Sequence, residues 1–238
     1  SSSASASPTV QAAAYGKLPQ ACGVLTKKTL ESLVPKGPKG KEGSSSDLGT
    51  RASCSWSSLD NNGVKGSQFR WLNVSLLRFE SDTSRGEGDK QAHAYFVKQV
   101  QDAQSTAGAK NAKTAPVAGA GDEATLVRYD LKKKEGDFKQ QTVVARVENV
   151  VVTLDYNGAG LAGDKAPNAD DLAKSAEQAV KEAVASVSAA NGDGSAPSGG
   201  TAPKSPSASA SKPASPSASA SKSAAKSASP SASAAKKN

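Results

Sequence analysis

The chain has 238 residues, with no methionine, one histidine, two cysteines, 4% aromatic residues and a formal charge of +8. Lys204, Lys212, Lys222, Lys226, Lys236 and Lys237 supply six of those charges in a stretch without aromatics, leaving +2 elsewhere. A specific nucleic-acid reader, which needs basic residues interleaved with aromatics on a folded face, is therefore not expected. The most apolar run centres on Val150, Val151 and Val152, far short of the ~20 residues of a membrane-spanning helix.

In chain order, residues 1–14 are rich in serine and alanine and are expected to form a flexible tether. A chain opening on serine is expected to have been trimmed, with a signal peptide or a lipoprotein cysteine ahead of this start. A domain is then predicted over residues 15–191. Its first helix covers 25–34, with Thr26 as N-cap, an apolar stripe of Leu30, Leu33 and Val34, and Pro35 as the stop. Residues 35–50 read as a polar loop. Its Gly37-Pro38-Lys39-Gly40-Lys41 lacks both the residue order and the preceding strand of a phosphate-binding loop.

Strands are predicted over 52–58 and 68–80, joined by the Asp60-Asn61-Asn62-Gly63 turn. In the second, Leu72, Val74 and Leu76 alternate with Trp71, Asn73 and Ser75. An amphipathic helix follows at 89–104, built on Ala92, Tyr95, Phe96 and Val100, with His93 as a lone surface histidine beside that stripe. Residues 105–119 read as a loose Ala/Gly/Lys linker. Three strands come next, at 124–131, 142–147 and 150–156, the last two forming a tight hairpin at Glu148-Asn149. A final helix covers 168–188 and stops near Asn191-Gly192. The order α-β-β-α-β-β-β-α with short turns predicts an α+β fold, an antiparallel sheet packed by helices in a single domain.

Residues 192–238 form a Ser/Ala/Pro/Lys tail with three near-copies of one unit, starting at Ser205, Ser215 and Ser229. Without large apolar side chains it has nothing to bury against the entropy of folding, and it is expected to be disordered. As a solvated spacer it could also make weak contact with anionic wall polymers.

Cys22 and Cys54 stand 32 positions apart. With His93 as the sole further soft ligand they cannot complete a four-ligand zinc site, and they lack the Cys-x-x-Cys spacing of a redox pair. A structural disulfide is the expectation, with two unrelated buried thiols as the alternative. Asp122 and Glu123, neighbours pointing to opposite sides of a strand, read as turn acceptors or solvated charges rather than catalytic carboxylates. Asp155 has no evident partner. No Gly-x-Ser-x-Gly elbow accompanies the one histidine, so no catalytic constellation, metal or cofactor is expected.

Several short motifs act together as a signature. Ala21-Cys22-Gly23-Val24-Leu25-Thr26, Cys54-Ser55-Trp56, Gly119-Ala120-Gly121-Asp122-Glu123-Ala124 and the hairpin from Val147 to Val152 resemble a family of secreted actinobacterial lipoprotein domains of unknown function. The layout is also similar to PsbP-like sandwiches and to the extracellular sensor domains of mycobacterial serine/threonine kinases. The resemblance covers residues 18–188 and implies a membrane-anchored, extracytoplasmic domain of the cell envelope. No catalytic residues are established for that family.

The function expected is non-enzymatic: binding or sensing of an envelope protein, glycan or lipid, with Trp71, Phe79 and Tyr129 either as the candidate ligand face or as simple core aromatics. The alternatives are a structural module that docks a partner in an envelope complex, or an envelope hydrolase with an acidic site.

Overall fold

The computed structural model describes residues 9–193; the first eight residues and the Ser/Ala/Pro/Lys repeats lie outside the described residues. The chain runs through α1 (Lys27–Leu33), β1 (Lys41–Glu42), β2 (Arg51–Asn61), β3 (Ser67–Arg78), α2 (Gly88–Gln104), β4 (Lys110–Pro116), β5 (Glu123–Lys133), β6 (Gly136–Val147), β7 (Val150–Leu161) and α3 (Ala169–Ala190). The strands form one antiparallel sheet in the order β1-β2-β3-β7-β6-β5-β4. This is the α+β architecture the sequence predicts, with two strands more.

Both added strands lie at sheet edges. Residues 110–116, expected within a linker, pair as β4 with β5, and every one of them is exposed. A strand with neither face buried has no apolar alternation to betray it. Its bulge between Lys110 and Lys113, together with Pro116, makes it a poor template for further pairing. At the other edge, residues 41–42 of the predicted polar loop pair with Ser55 and Cys54 of β2.

Strand alternation divides the core in two. Inward residues such as Trp56, Leu72, Val74, Leu154 and Tyr156 face α1 and α3 in the main core. Helix α3 presents Ala176, Ala179, Val180, Ala183 and Val187, all fully buried, and these small side chains bring it close to the sheet. Asn168 caps this helix, its Oδ1 accepting the Asp170 and Asp171 amides at 2.9 and 3.0 Å. Helix α1 is held from below, where the Tyr156 hydroxyl donates to the Leu33 carbonyl at 2.7 Å. On the opposite face α2 sets Ala92 and Phe96 against Val144 and Val151 in a smaller cluster.

A disulfide joins Cys22 to Cys54 on β2, with Cα atoms 5.1 Å apart. The 35–50 loop closes over this bridge. A side chain at Gly40 would collide with the Cys54 sulfur and the Trp56 indole, so the glycine in this lysine-rich loop is required by packing.

Asn149, fully buried in the β6–β7 turn, ties the N-terminal segment to the sheet. Its Oδ1 accepts the Tyr15 amide at 2.8 Å, and its Nδ2 donates to the Tyr15 and Phe79 carbonyls at 2.9 and 2.8 Å. The Tyr15 hydroxyl in turn donates to Asp193 at 2.8 Å, beyond the end of α3.

Two outcomes test this framework. Replacing both cysteines by serine should lower unfolding free energy in urea by about 3–4 kcal/mol, through loop entropy alone. Intact mass before and after reduction checks the bridge itself. Asn149→Ala should cost about 2–4 kcal/mol, because the Tyr15 amide and the Phe79 carbonyl lose their partner together and the Tyr15 carbonyl is left with Arg78 alone; an unchanged denaturation midpoint would contradict the role given to that amide.

Candidate ligand-binding face

Among the described residues, the face that carries α2 is only partly covered. The helix crosses β5, β6 and β7, while the outward positions of β2 and β3 lie beside it. The ladder aligns these positions in rows. Ser57, Trp71 and Asn157 form one row, which Gln140 and Tyr129 continue. Ser55, Asn73, Asp155 and Thr142 form the row above it, and Leu59, Phe69, Ala159 and Phe138 the row below.

At the lower end a recess of about 650 Å³ is lined by Phe69, Trp71, Phe138, Asn157 and Leu161. The Phe69 and Phe138 rings meet edge-on, 6.0 Å apart, across the small side chain of Ala159. Lys133 sits 4.6 Å above the Phe138 ring, a cation–π contact at the rim. A second recess, about 510 Å³, lies at the other end, where Arg51, Ser53, Ser75 and Leu77 meet Tyr95 of α2. Ser55 and Asn73 occupy the strand positions between the two.

A line of hydrogen bonds crosses the middle of this face. Asn157 Nδ2 donates to Gln140 Oε1 at 3.1 Å, and Gln140 Nε2 donates to Thr142 Oγ1 at 3.2 Å and to Asp155 Oδ1 at 3.4 Å. The Thr142 hydroxyl donates to the same Asp155 oxygen at 2.7 Å. Asn157 Oδ1 is buried and has no partner among the described residues. Burial pushes the Asp155 carboxyl above its usual range, and the Thr142 hydroxyl only partly offsets this.

Of the residues predicted to form a ligand face, all three project to the α2 side, and one of them is open. Trp71 lines the lower recess. Phe79 packs against Tyr95 with ring centroids 5.5 Å apart, and Tyr129 is buried, its hydroxyl paired with Thr106 at 3.1 Å. Phe69, Phe138 and Asn157 were not singled out by the sequence, and Asp155, read there as lacking an evident partner, instead accepts from Thr142 and Gln140 on the neighbouring strand. Phe69 had a usable signal, since it precedes Trp71 by two positions on one strand and so shares its face.

The remaining charged cluster is absorbed by structure. Glu123 Oε1 lies 2.6 Å from His93 Nδ1 and accepts from Arg146 Nε at 2.6 Å. Burial alone would raise the Glu123 carboxyl, but the hydrogen bonds from His93 and Arg146 outweigh it and hold the group below its usual range. Asp122 accepts the Glu148 amide at 2.6 Å, a turn acceptor as expected. His93, read as a lone surface residue, instead joins α2 to β5 through Glu123. Among the described residues, no three His, Cys, Asp or Glu side chains are placed to hold a metal ion, and no helix is long and apolar enough to cross a membrane.

Comparison of the chain with protein-family models, curated proteins and solved structures yields no match. The likeness to secreted lipoprotein domains thus rests on the short motifs alone.

Asp155 gives a pH-dependent outcome. Its folded pKa is raised, so the folded state holds the proton more tightly than the unfolded chain, whose aspartates titrate near ~3.9. Its contribution to stability is therefore highest in acid and declines as pH rises from that value through the folded pKa. Asp155→Asn keeps an oxygen for the Thr142 hydroxyl and removes the buried charge. Thermal midpoints should show the variant gaining on wild type as pH rises above about 4. A variant less stable than wild type at neutral pH would show that the ionised carboxylate is needed.

Proposed function

We propose that this chain is an extracytoplasmic binding domain of the cell envelope, lipid-anchored or secreted, that takes its ligand on the open half of the sheet without acting on it chemically. The observation that carries this reading is the partial coverage by α2, which leaves Trp71, Phe69 and Phe138 beside Asn157 Oδ1, an oxygen without a partner among the described residues. Apolar and aromatic surface with a few convergent polar groups is the usual make-up of a ligand site. The antiparallel sheet beneath holds these side chains at fixed spacing. A disulfide between Cys22 and Cys54 supports an oxidising location. Asp122 and Glu123 are engaged by Arg146, His93 and a main-chain amide, which favours binding over acid–base catalysis. In this reading the Ser/Ala/Pro/Lys tail is a spacer through the wall.

Tryptophan emission tests the assignment, because Trp56 is sealed in the main core while Trp71 lines the recess. Adding solubilised envelope extract from the source organism should shift the emission, and Trp71→Phe should abolish the shift without changing the melting profile. An extract that leaves emission untouched, or a shift that survives Trp71→Phe, would remove the open face as the ligand site.

A further inference from the structure

We infer that the ligand of this face is a glycan strand lying along β2 and β3, stacked on the aromatic residues at its two ends and hydrogen-bonded to the floor between them. The inference rests on the reading of the open face as the binding site and specifies its chemistry. Between Trp71 and Tyr95 the outward positions are Ser53, Ser55, Ser57, Asn73 and Ser75. Ser57 is exposed and the other four are half-buried. Each is short, uncharged and able to donate as well as accept. A ligand matched to such a floor carries groups that do both, which is the property of sugar hydroxyls.

The rival chemistries fit less well. A phosphate-rich ligand needs cations in the floor, whereas Arg51 and Lys133 stand only at the two ends. An acyl chain laid on the serines and Asn73 would strip them of water and return no hydrogen bond. A peptide added as a strand would join the outer edge of β2 beyond its two-residue pairing with β1 and would not lie on the floor between Trp71 and Tyr95, because the backbone of β3 is already paired on both sides, with β2 and β7.

Two further features agree with a sugar. The electron-rich face of an indole or phenyl ring attracts the weakly positive C–H groups on one side of a pyranose. Trp71 and Phe69 supply such faces at one end, beside a Phe138 ring that already carries Lys133, and Tyr95 at the other. Among the described residues Asn157 Oδ1 lacks a donor, and the hydrogen bonds to Asp155 both fall on Oδ1. Asn157 lines the recess, so a small rotation of its side chain brings this buried oxygen to a ligand hydroxyl or a bridging water and completes the network. From Trp71 to Leu77 the strand spans about 20 Å, which suits several linked sugars rather than one.

The test uses the full chain and three probes prepared from the source envelope: polysaccharide freed of protein and lipid, a lipid extract, and a peptide fraction. The polysaccharide should shift Trp71 emission and should do so equally in about 0.5 M salt, where screening removes electrostatic adhesion. Acid hydrolysis of the polysaccharide to monosaccharides should abolish the response. Ser57→Arg, an exposed substitution that fills the groove without touching the core, should weaken binding about tenfold or more with an unchanged melting midpoint. A response confined to the lipid or peptide fraction would overturn the glycan while leaving the open face as the site. So would a polysaccharide response that collapses in salt or is indifferent to Ser57→Arg. Silence from all three fractions would overturn both readings.

Discussion

The pairing of β3 with β7 is the contact on which the rest of the molecule depends. It runs without interruption from Ser67 opposite Leu161 to Arg78 opposite Val150. On one side of it hang β2 and β1, on the other the meander β6, β5 and β4. Without this ladder the chain is two separate antiparallel pieces, neither with a complete core. Because side chains alternate with a period of two, the same register fixes both faces at once. A slip of one residue would turn Trp71 and Asn73 into the main core and bring Leu72 and Val74 out to water. Core and candidate ligand face are therefore two consequences of one alignment.

Bringing residues 67–78 to residues 150–161 costs loop entropy before any contact compensates for it. Several local devices favour the correct alignment. Asn149 clamps the top of the ladder, since its side chain binds the Phe79 carbonyl and its own carbonyl accepts the Phe79 amide at 2.9 Å. Glycine sets the bottom. A side chain at Gly160 would collide with the carbonyls of Asp164 and Lys165, so the connection to α3 can lie directly on β7. The disulfide adds a third constraint by holding the first turn of the domain against β2.

What the sequence disclosed follows from how local each feature is. Helix α3 was legible because one apolar stripe runs through it and Asn168 marks its start. The β6–β7 hairpin was legible because two β-branched runs flank two turn residues. Strand β4 was not, since Lys110, Asn111 and Lys113 carry no burial pattern and its existence depends on β5 beside it. The ligand face divides in the same way. Alternation places Trp71 on the α2 side, yet whether it is open depends on where a helix from elsewhere in the chain comes to rest. Phe69 and Phe138 meet only because β3, β7 and β6 align around Ala159. His93 looked solitary because its partner Glu123 lies thirty positions away in sequence.

The partial coverage of that face is itself a consequence of strand order. Helix α2 leaves β3, near the centre of the sheet, and must deliver the chain to β4 at the far edge. Its route therefore passes over β7, β6 and β5, and no other helix is available on that side among the described residues. The side chains follow this division. Beneath α2 the strands present Val127, Val144 and Val151, all buried, whereas the outward positions of β2 and β3 between Trp71 and Leu77 present serine and asparagine. Had β2 and β3 been meant for a helix or a second sheet, valine and leucine would serve them better, since buried hydroxyls without partners cost free energy. Their polarity suits a surface in contact with water, on which the proposed ligand would replace that water hydrogen bond for hydrogen bond. The aromatic residues at the two ends would hold such an occupant by stacking.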